Sequence, residues 1–223
     1  MDDDGTFVRD FDIELENSDD KRITLRIFQN QVGDVGAVVW DSALVACKYF
    51  EKMNSLNSGC LFEKTILELG AGTGICSLAA SSFGANVYST DLPVQLPLLE
   101  KNWEMNRGRL AGSVTILPLS WGSADDIARL RDIRFDWILI VDCLYYEMST
   151  KPLIETLQAL STPRETKILC VYEEREVGKP KLMVEEFFQL AKENFRISNV
   201  PVEDLHSEYV APEIKTVILT LEK

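Results

Sequence analysis

The chain has 223 residues, 46% of them hydrophobic, enough for one sizeable core, and a formal charge of −13. So acidic a surface repels phosphate backbones, which makes nucleic acid a poor partner and favours a cationic one. Five scattered cysteines with no Cys-x-x-Cys pair exclude a disulfide framework and a zinc knuckle, and a single histidine, His206, excludes a His-rich metal centre.

Residues 7–16 and 22–29 alternate apolar and polar in part, through Phe7, Phe11, Ile13 and Leu15, then Ile23, Leu25 and Ile27. Asn17-Ser18-Asp19-Asp20 is turn chemistry between them, so an N-terminal β-hairpin is expected. Leu44, Val45, Tyr49 and Phe50 follow helical spacing from Trp40 to about Met53, with Asp41 or Ser42 placed to cap the start. Thr65–Leu69 reads as a short buried strand, followed by a glycine-rich loop and a helix through about Phe83. Strands 86–90, 113–119, 135–141 and 166–172 then alternate with helices 93–106, 123–131, 149–161 and 180–193. Strands 195–201 and 214–221 close the chain, too near each other for a crossover, and should pair as an antiparallel hairpin at one edge.

Strands alternating with helices make the fold class α/β, a parallel sheet with helices on both faces. One domain spans 1–223, with 1–35 as a hairpin extension and 36–223 as the core, since no Pro/Gly/Ser-rich linker marks a boundary. The acidic Met1-Asp2-Asp3-Asp4 start lacks the basic character of a leader, and no apolar run approaches a membrane span. The chain is therefore expected in the cytoplasm, with the nucleus as the alternative. No heptad pattern appears, and a monomer is expected. His206 reads as a surface residue.

In an open α/β sheet, ligands sit beyond the carboxyl ends of the strands. Gly70-Ala71-Gly72-Thr73-Gly74 lies at such an end, where glycines turn the backbone sharply and admit a ligand closely. Asp91 stands 21 residues beyond Gly70, at the end of the next strand, placed to accept hydrogen bonds from both hydroxyls of a ribose. A dinucleotide fingerprint would carry its third glycine at position 75, which is Ile75. Glu68, just before the loop, disfavours phosphate and tolerates a cation such as a sulfonium. A tight turn with no ligand is the bland alternative.

Glu68-Leu69-Gly70-Ala71-Gly72-Thr73-Gly74 with Asp91 resembles motif I and the ribose acid of the seven-strand, Rossmann-like S-adenosylmethionine-dependent methyltransferases. Gly36-Ala37-Val38-Val39-Trp40-Asp41, Leu119-Ser120-Trp121-Gly122, Asp142-Cys143-Leu144-Tyr145-Tyr146, Tyr172-Glu173-Glu174-Arg175 and Glu208-Tyr209 resemble, more narrowly, the protein-lysine methyltransferases that modify chaperone ATPases. That resemblance implies S-adenosylmethionine as methyl donor, S-adenosylhomocysteine as product, and no metal. It implies that Trp40, Glu68, Gly70, Ala71, Gly72, Asp91, Trp121 and Val141 bind the cofactor, Trp121 against the adenine. It also implies a protein substrate, an AAA-type chaperone ATPase such as valosin-containing protein.

Asp142-x-x-Tyr145 is the pattern the family places beside the acceptor lysine. An aromatic ring holds an ammonium by cation–π contact and a carboxylate attracts it. The amine must still lose its proton, and at pH 7 the neutral form of a lysine lies roughly 4.6 kcal/mol uphill. Asp142 is assigned mainly to orientation and attraction, with proton acceptance second, and catalysis mainly to in-line positioning. Taken alone, Asp142 could cap a helix, and Trp40, Trp121 and Tyr145 could be core aromatics; Trp103 and Trp137 read as packing. The hairpin and segment 173–180 are expected to wall the substrate groove, and the Glu173, Glu174 and Glu176 run reads as a solvated face. Rival readings are a small-molecule methyltransferase, a silent cofactor-binding chaperone-interaction module, and an NAD-dependent oxidoreductase.

Overall fold

A computed structural model describes residues 6–15, 22–30, 35–145, 148–175 and 179–223. Residues 1–4, the 17–20 turn, Tyr146, Glu147 and Glu176 lie outside the described residues. The expected hairpin forms from β1 (Thr6–Glu14) and β2 (Arg22–Asn30), paired antiparallel from Thr6↔Asn30 to Glu14↔Arg22. Phe11, Ile13, Leu25 and Ile27 sink from it into the main core. Phe28, on the opposite face from Leu25 and Ile27, packs in a separate small cluster with Ala37 and Leu98.

The remaining strands are β3 (Thr65–Leu69), β4 (Asn86–Asp91), β5 (Ser113–Pro118), β6 (Trp137–Val141), β7 (Lys167–Glu173), β8 (Phe195–Asn199) and β9 (Ile214–Leu221). They make one seven-stranded sheet in the order β5-β4-β3-β6-β7-β9-β8. Pairings are parallel from β5 to β7, and β9 runs antiparallel to both β7 and β8. The closing strands are thus the expected edge hairpin, with β8 outermost. Chain order reverses direction on either side of β3, which puts a crevice between the ends of β3 and β6.

The helices are α1 (Asp41–Leu56), α2 (Ile75–Ser82), α3 (Leu96–Asn106), α4 (Ala124–Leu130), α5 (Thr150–Leu160) and α6 (Lys179–Ala191). Successive strand residues face opposite sides, so Ile66 and Leu139 join the core under α1 and α2. Leu67, Leu69, Ile138 and Ile140 join the other core, with Leu153, Leu157 and Phe187. Both faces of the sheet are covered, as parallel sheets require.

Two local expectations are corrected. Neither Asp41 nor Ser42 caps α1: Trp40 takes the N-cap position with φ −86°, ψ 155°, and Ser42 is buried in the first turn. Strand β6 begins at Trp137 rather than 135, because the Asp136 carboxylate is used as a clamp. It accepts from the Thr65 amide at 2.9 Å and pairs with Lys64 at 2.8 Å, tying the strand bottoms together.

Candidate active site

Loop 70–74 is stapled to the end of β4. The Gly70 and Ala71 amides both donate to the Thr90 carbonyl, at 2.9 and 3.0 Å, and Gly72 N–H donates to Asp91 Oδ2 at 2.7 Å. Gly70 has φ +72°, and a Cβ there would press on Cys143 Sγ at 3.1 Å and the Trp121 ring at 3.2 Å. Gly72 has φ +54°, and a Cβ would meet the Gly36 carbonyl oxygen at 2.7 Å. Only glycine satisfies both the left-handed backbone and the close approach at these positions.

A cavity of about 510 Å³ opens at the β3–β6 crevice. All ten predicted site residues line it: Trp40, Glu68, Gly70, Ala71, Gly72, Asp91, Trp121, Val141, Asp142 and Tyr145. Sequence reasoning missed Leu92, Gln95, Cys143 and Met148 on its walls. Leu92 was findable, as an exposed apolar residue directly after the strand-end acid. Cys143 was not: it is buried and its thiol donates to the Leu69 carbonyl at 3.2 Å, a contact that only the fold creates.

Three carboxylates reach this cavity, and no lysine, arginine or histidine does among the described residues. Glu68 is 2% exposed and accepts from the Ser77 hydroxyl, whose oxygen in turn accepts from the Ser89 hydroxyl at 2.7 Å. Burial pushes its carboxyl up to about 7, with Asp91 adding to the rise and the Ser77 bonds opposing it. Asp91 spends one oxygen on Gly72 and the other on the Leu92 amide at 2.7 Å, which fixes the carboxylate plane at the cavity edge. A site with three carboxylates and no basic side chain among the described residues suits a cationic nucleoside better than a pyrophosphate. S-adenosylmethionine fits this donor set.

Asp142 sits at φ +55° immediately after β6, a left-handed turn that aims its side chain into the crevice. Its amide donates to the Val171 carbonyl at 2.8 Å and Oδ1 accepts from Glu173 N–H at 3.5 Å. Burial raises its pKa from the ordinary range, the Glu173 amide and Arg175 lower it, the Glu173 charge raises it, and the Ser42 hydroxyl lowers it slightly. Asp142 is thus no helix cap; it bridges the ends of β6 and β7. A side pocket of about 70 Å³ adjoins the main cavity here, shared by Trp40, Asp142 and Tyr145 and closed by Tyr172, Glu173 and Arg175.

None of the described residues in β1 or β2 lines the cavity, because the hairpin's apolar face is spent on the main core. Segment 36–40, which follows the hairpin, supplies one wall of the cavity. Segment 173–175 does reach the site, through Glu173 and Arg175. Glu173 pairs with Arg175 at 3.1 Å and Glu174 with Lys215 at 3.1 Å, so these carboxylates are largely spent within the chain. Trp137 packs edge-on to Phe50, and Trp103 lies under Arg107, as packing residues. His206 is half-buried rather than a surface residue, 3.6 Å from Glu51 and stacked edge-on against Tyr209.

The sheet order, the glycine loop, the strand-end acid and the cavity at the switch point define a seven-strand methyltransferase domain. The chain belongs to the lysine methyltransferase family, whose model matches residues 19–194. It is 37% identical over 157 residues to the protein-lysine methyltransferase METTL21E of Bos taurus, covering 70% of this chain and 53% of that protein. It is 37% identical over 139 residues to EEF1A lysine methyltransferase 3 of Mus musculus, covering 62% and 56%. These matches thus span about half the length of those relatives. The solved O-methyltransferase from Bacillus cereus in complex with SAH shares the fold, with a TM-score of 0.57 at 16% identity over 85% of this chain and 84% of that one.

Proposed function

We propose that this chain transfers a methyl group from S-adenosylmethionine to the ε-amine of a lysine in a protein substrate. The observation that carries the reading is the acidic cavity that the glycine loop, Asp91 and Trp121 share with Asp142 and Tyr145, with a side pocket adjoining it at Trp40, Asp142 and Tyr145. When bound, the cofactor supplies an electrophilic methyl group on a cationic sulfur.

Asp91 accepts from the ribose hydroxyls, and Trp121 offers the adenine a flat face. Asp142 attracts the lysine ammonium, and Tyr145 holds its stem and head by apolar and cation–π contact, while Trp40, which lines both pockets, contacts the cofactor. A lysine entering the side pocket would expel water, and Asp142 and Tyr145 would orient its nitrogen toward the bound methyl donor. Asp142 serves orientation and attraction first and proton acceptance second, catalysis resting mainly on positioning.

The substrate we propose is an AAA-type chaperone ATPase such as valosin-containing protein, on the sequence resemblance and on the acidic charge of this chain. Purified valosin-containing protein incubated with the enzyme and S-adenosylmethionine should gain methyl mass on one lysine by peptide mass spectrometry. No gain there, with methylation of a different protein, removes the chaperone and keeps the lysine chemistry.

A further inference from the structure

We propose that the N-terminal hairpin braces the cofactor loop through Asn102 of α3 and thereby sets the affinity for S-adenosylmethionine, a proposal that rests on the cofactor reading above. Asn102 is fully buried. Its Oδ1 accepts from Phe28 N–H at 2.7 Å, and its Nδ2 donates to the Phe28 carbonyl at 3.0 Å. The same Nδ2 donates its other hydrogen to the Thr73 carbonyl, in the glycine loop, at 2.9 Å. One side-chain amide thus pairs with β2 as a neighbouring strand would, and spends its remaining donor on the loop.

Asparagine is a poor interior helix residue and is costly to bury unless bonded, so these three bonds account for its place in α3. A second tie runs in parallel. Gln29, 3% exposed, accepts from Val39 N–H at 2.7 Å and so fastens the end of β2 to the cavity wall at 36–40. Phe28, Ala37 and Leu98 pack together at the same junction, and the Gly36 carbonyl lies directly against Gly72. Hairpin, wall, α3 and loop are therefore one connected unit, although the strands themselves line no part of the cavity among the described residues. Without Asn102, the Thr73 carbonyl, in a residue only 3% exposed, loses its acceptor role and the loop must shift to find water. Cofactor binding then has to reorder the loop.

Asn106 provides the control. One turn further along α3, it pairs with Arg26 in the same two-way manner, at 2.8 and 2.9 Å, but its remaining donor goes to the Asn102 carbonyl and not to the loop. Asn102→Ala and Asn106→Ala should both lower the melting temperature. Only Asn102→Ala should weaken S-adenosylhomocysteine binding by calorimetry, about tenfold or more, and speed hydrogen exchange of the 70–75 amides in the ligand-free protein. Wild-type affinity in Asn102→Ala, or equal weakening in Asn106→Ala, overturns the brace while leaving the cofactor reading intact. A wild type that binds no S-adenosylhomocysteine overturns the cofactor reading and the affinity claim together. If Asn102→Ala does not fold, Asn102→Ser decides: its shorter side chain cannot reach both Phe28 and Thr73, so weakened affinity supports the brace and wild-type affinity overturns it.

Discussion

The Asp142 carboxylate accepts a hydrogen bond from the Glu173 amide at 3.5 Å, joining the end of the last strand before the crevice to the end of the next. The bond is long, so the carboxylate is positioned without being saturated and retains acceptor capacity for an incoming ammonium.

Asp142→Asn keeps the size of the side chain and removes its charge. We expect kcat/KM for the protein substrate to fall about 100-fold through lost positioning, with S-adenosylhomocysteine affinity unchanged. Activity in the wild type should be lost as the pH falls through a pKa above the usual aspartate range, since the ionised form attracts the lysine. That acid limb should vanish in the variant. Steady-state kinetics across pH checks both.

Asp91→Ala removes the acceptor of the Gly72 and Leu92 amides as well as that of the ribose. Binding of S-adenosylhomocysteine should weaken by roughly 2–4 kcal/mol, more than ribose contacts alone would give, because the loop loses its anchor too. A calorimetric affinity equal to that of wild type would remove Asp91 from the cofactor site.

Glu68 links pH to both stability and binding. Its carboxyl titrates near 7 in the folded protein against 4.5 when unperturbed, so its stabilising contribution is fully present below about 4.5 and is lost as pH rises through about 7. Glu68→Gln should flatten the melting temperature between pH 5 and 8, by scanning calorimetry. A cationic ligand favours the ionised form, so affinity for S-adenosylmethionine should rise with pH through that range in wild type and not in the variant. S-adenosylhomocysteine, which lacks the sulfonium charge, should show the smaller dependence.

The site was legible where chemistry is encoded locally. Gly70, Gly72 and Asp91 follow one another at strand ends with fixed spacing, and Asp142 closes the most apolar strand, so backbone pattern alone aims them at one crevice. Contacts between distant segments were not legible. Cys143 meets Leu69, Asn102 meets both Phe28 and Thr73, and His206 meets Glu51, each across a separation that no local pattern spans. The hairpin was recognised as an element but its packing was not, because its alternation shows that one face is buried without showing against what. Asp136 shortened β6 for a similar reason: its partners Thr65 and Lys64 come from another strand's start.

Lysine methylation itself is tested most directly by incubating the purified chain with methyl-tritiated S-adenosylmethionine and a cell lysate, beside Asp142→Asn, and hydrolysing the labelled protein to amino acids. Label recovered as methyl-lysine from one protein band, and lost with the variant, is the predicted result. Measurable S-adenosylmethionine binding with no labelled lysine in any protein would contradict the account and leave a small-molecule acceptor or a silent binding module in its place.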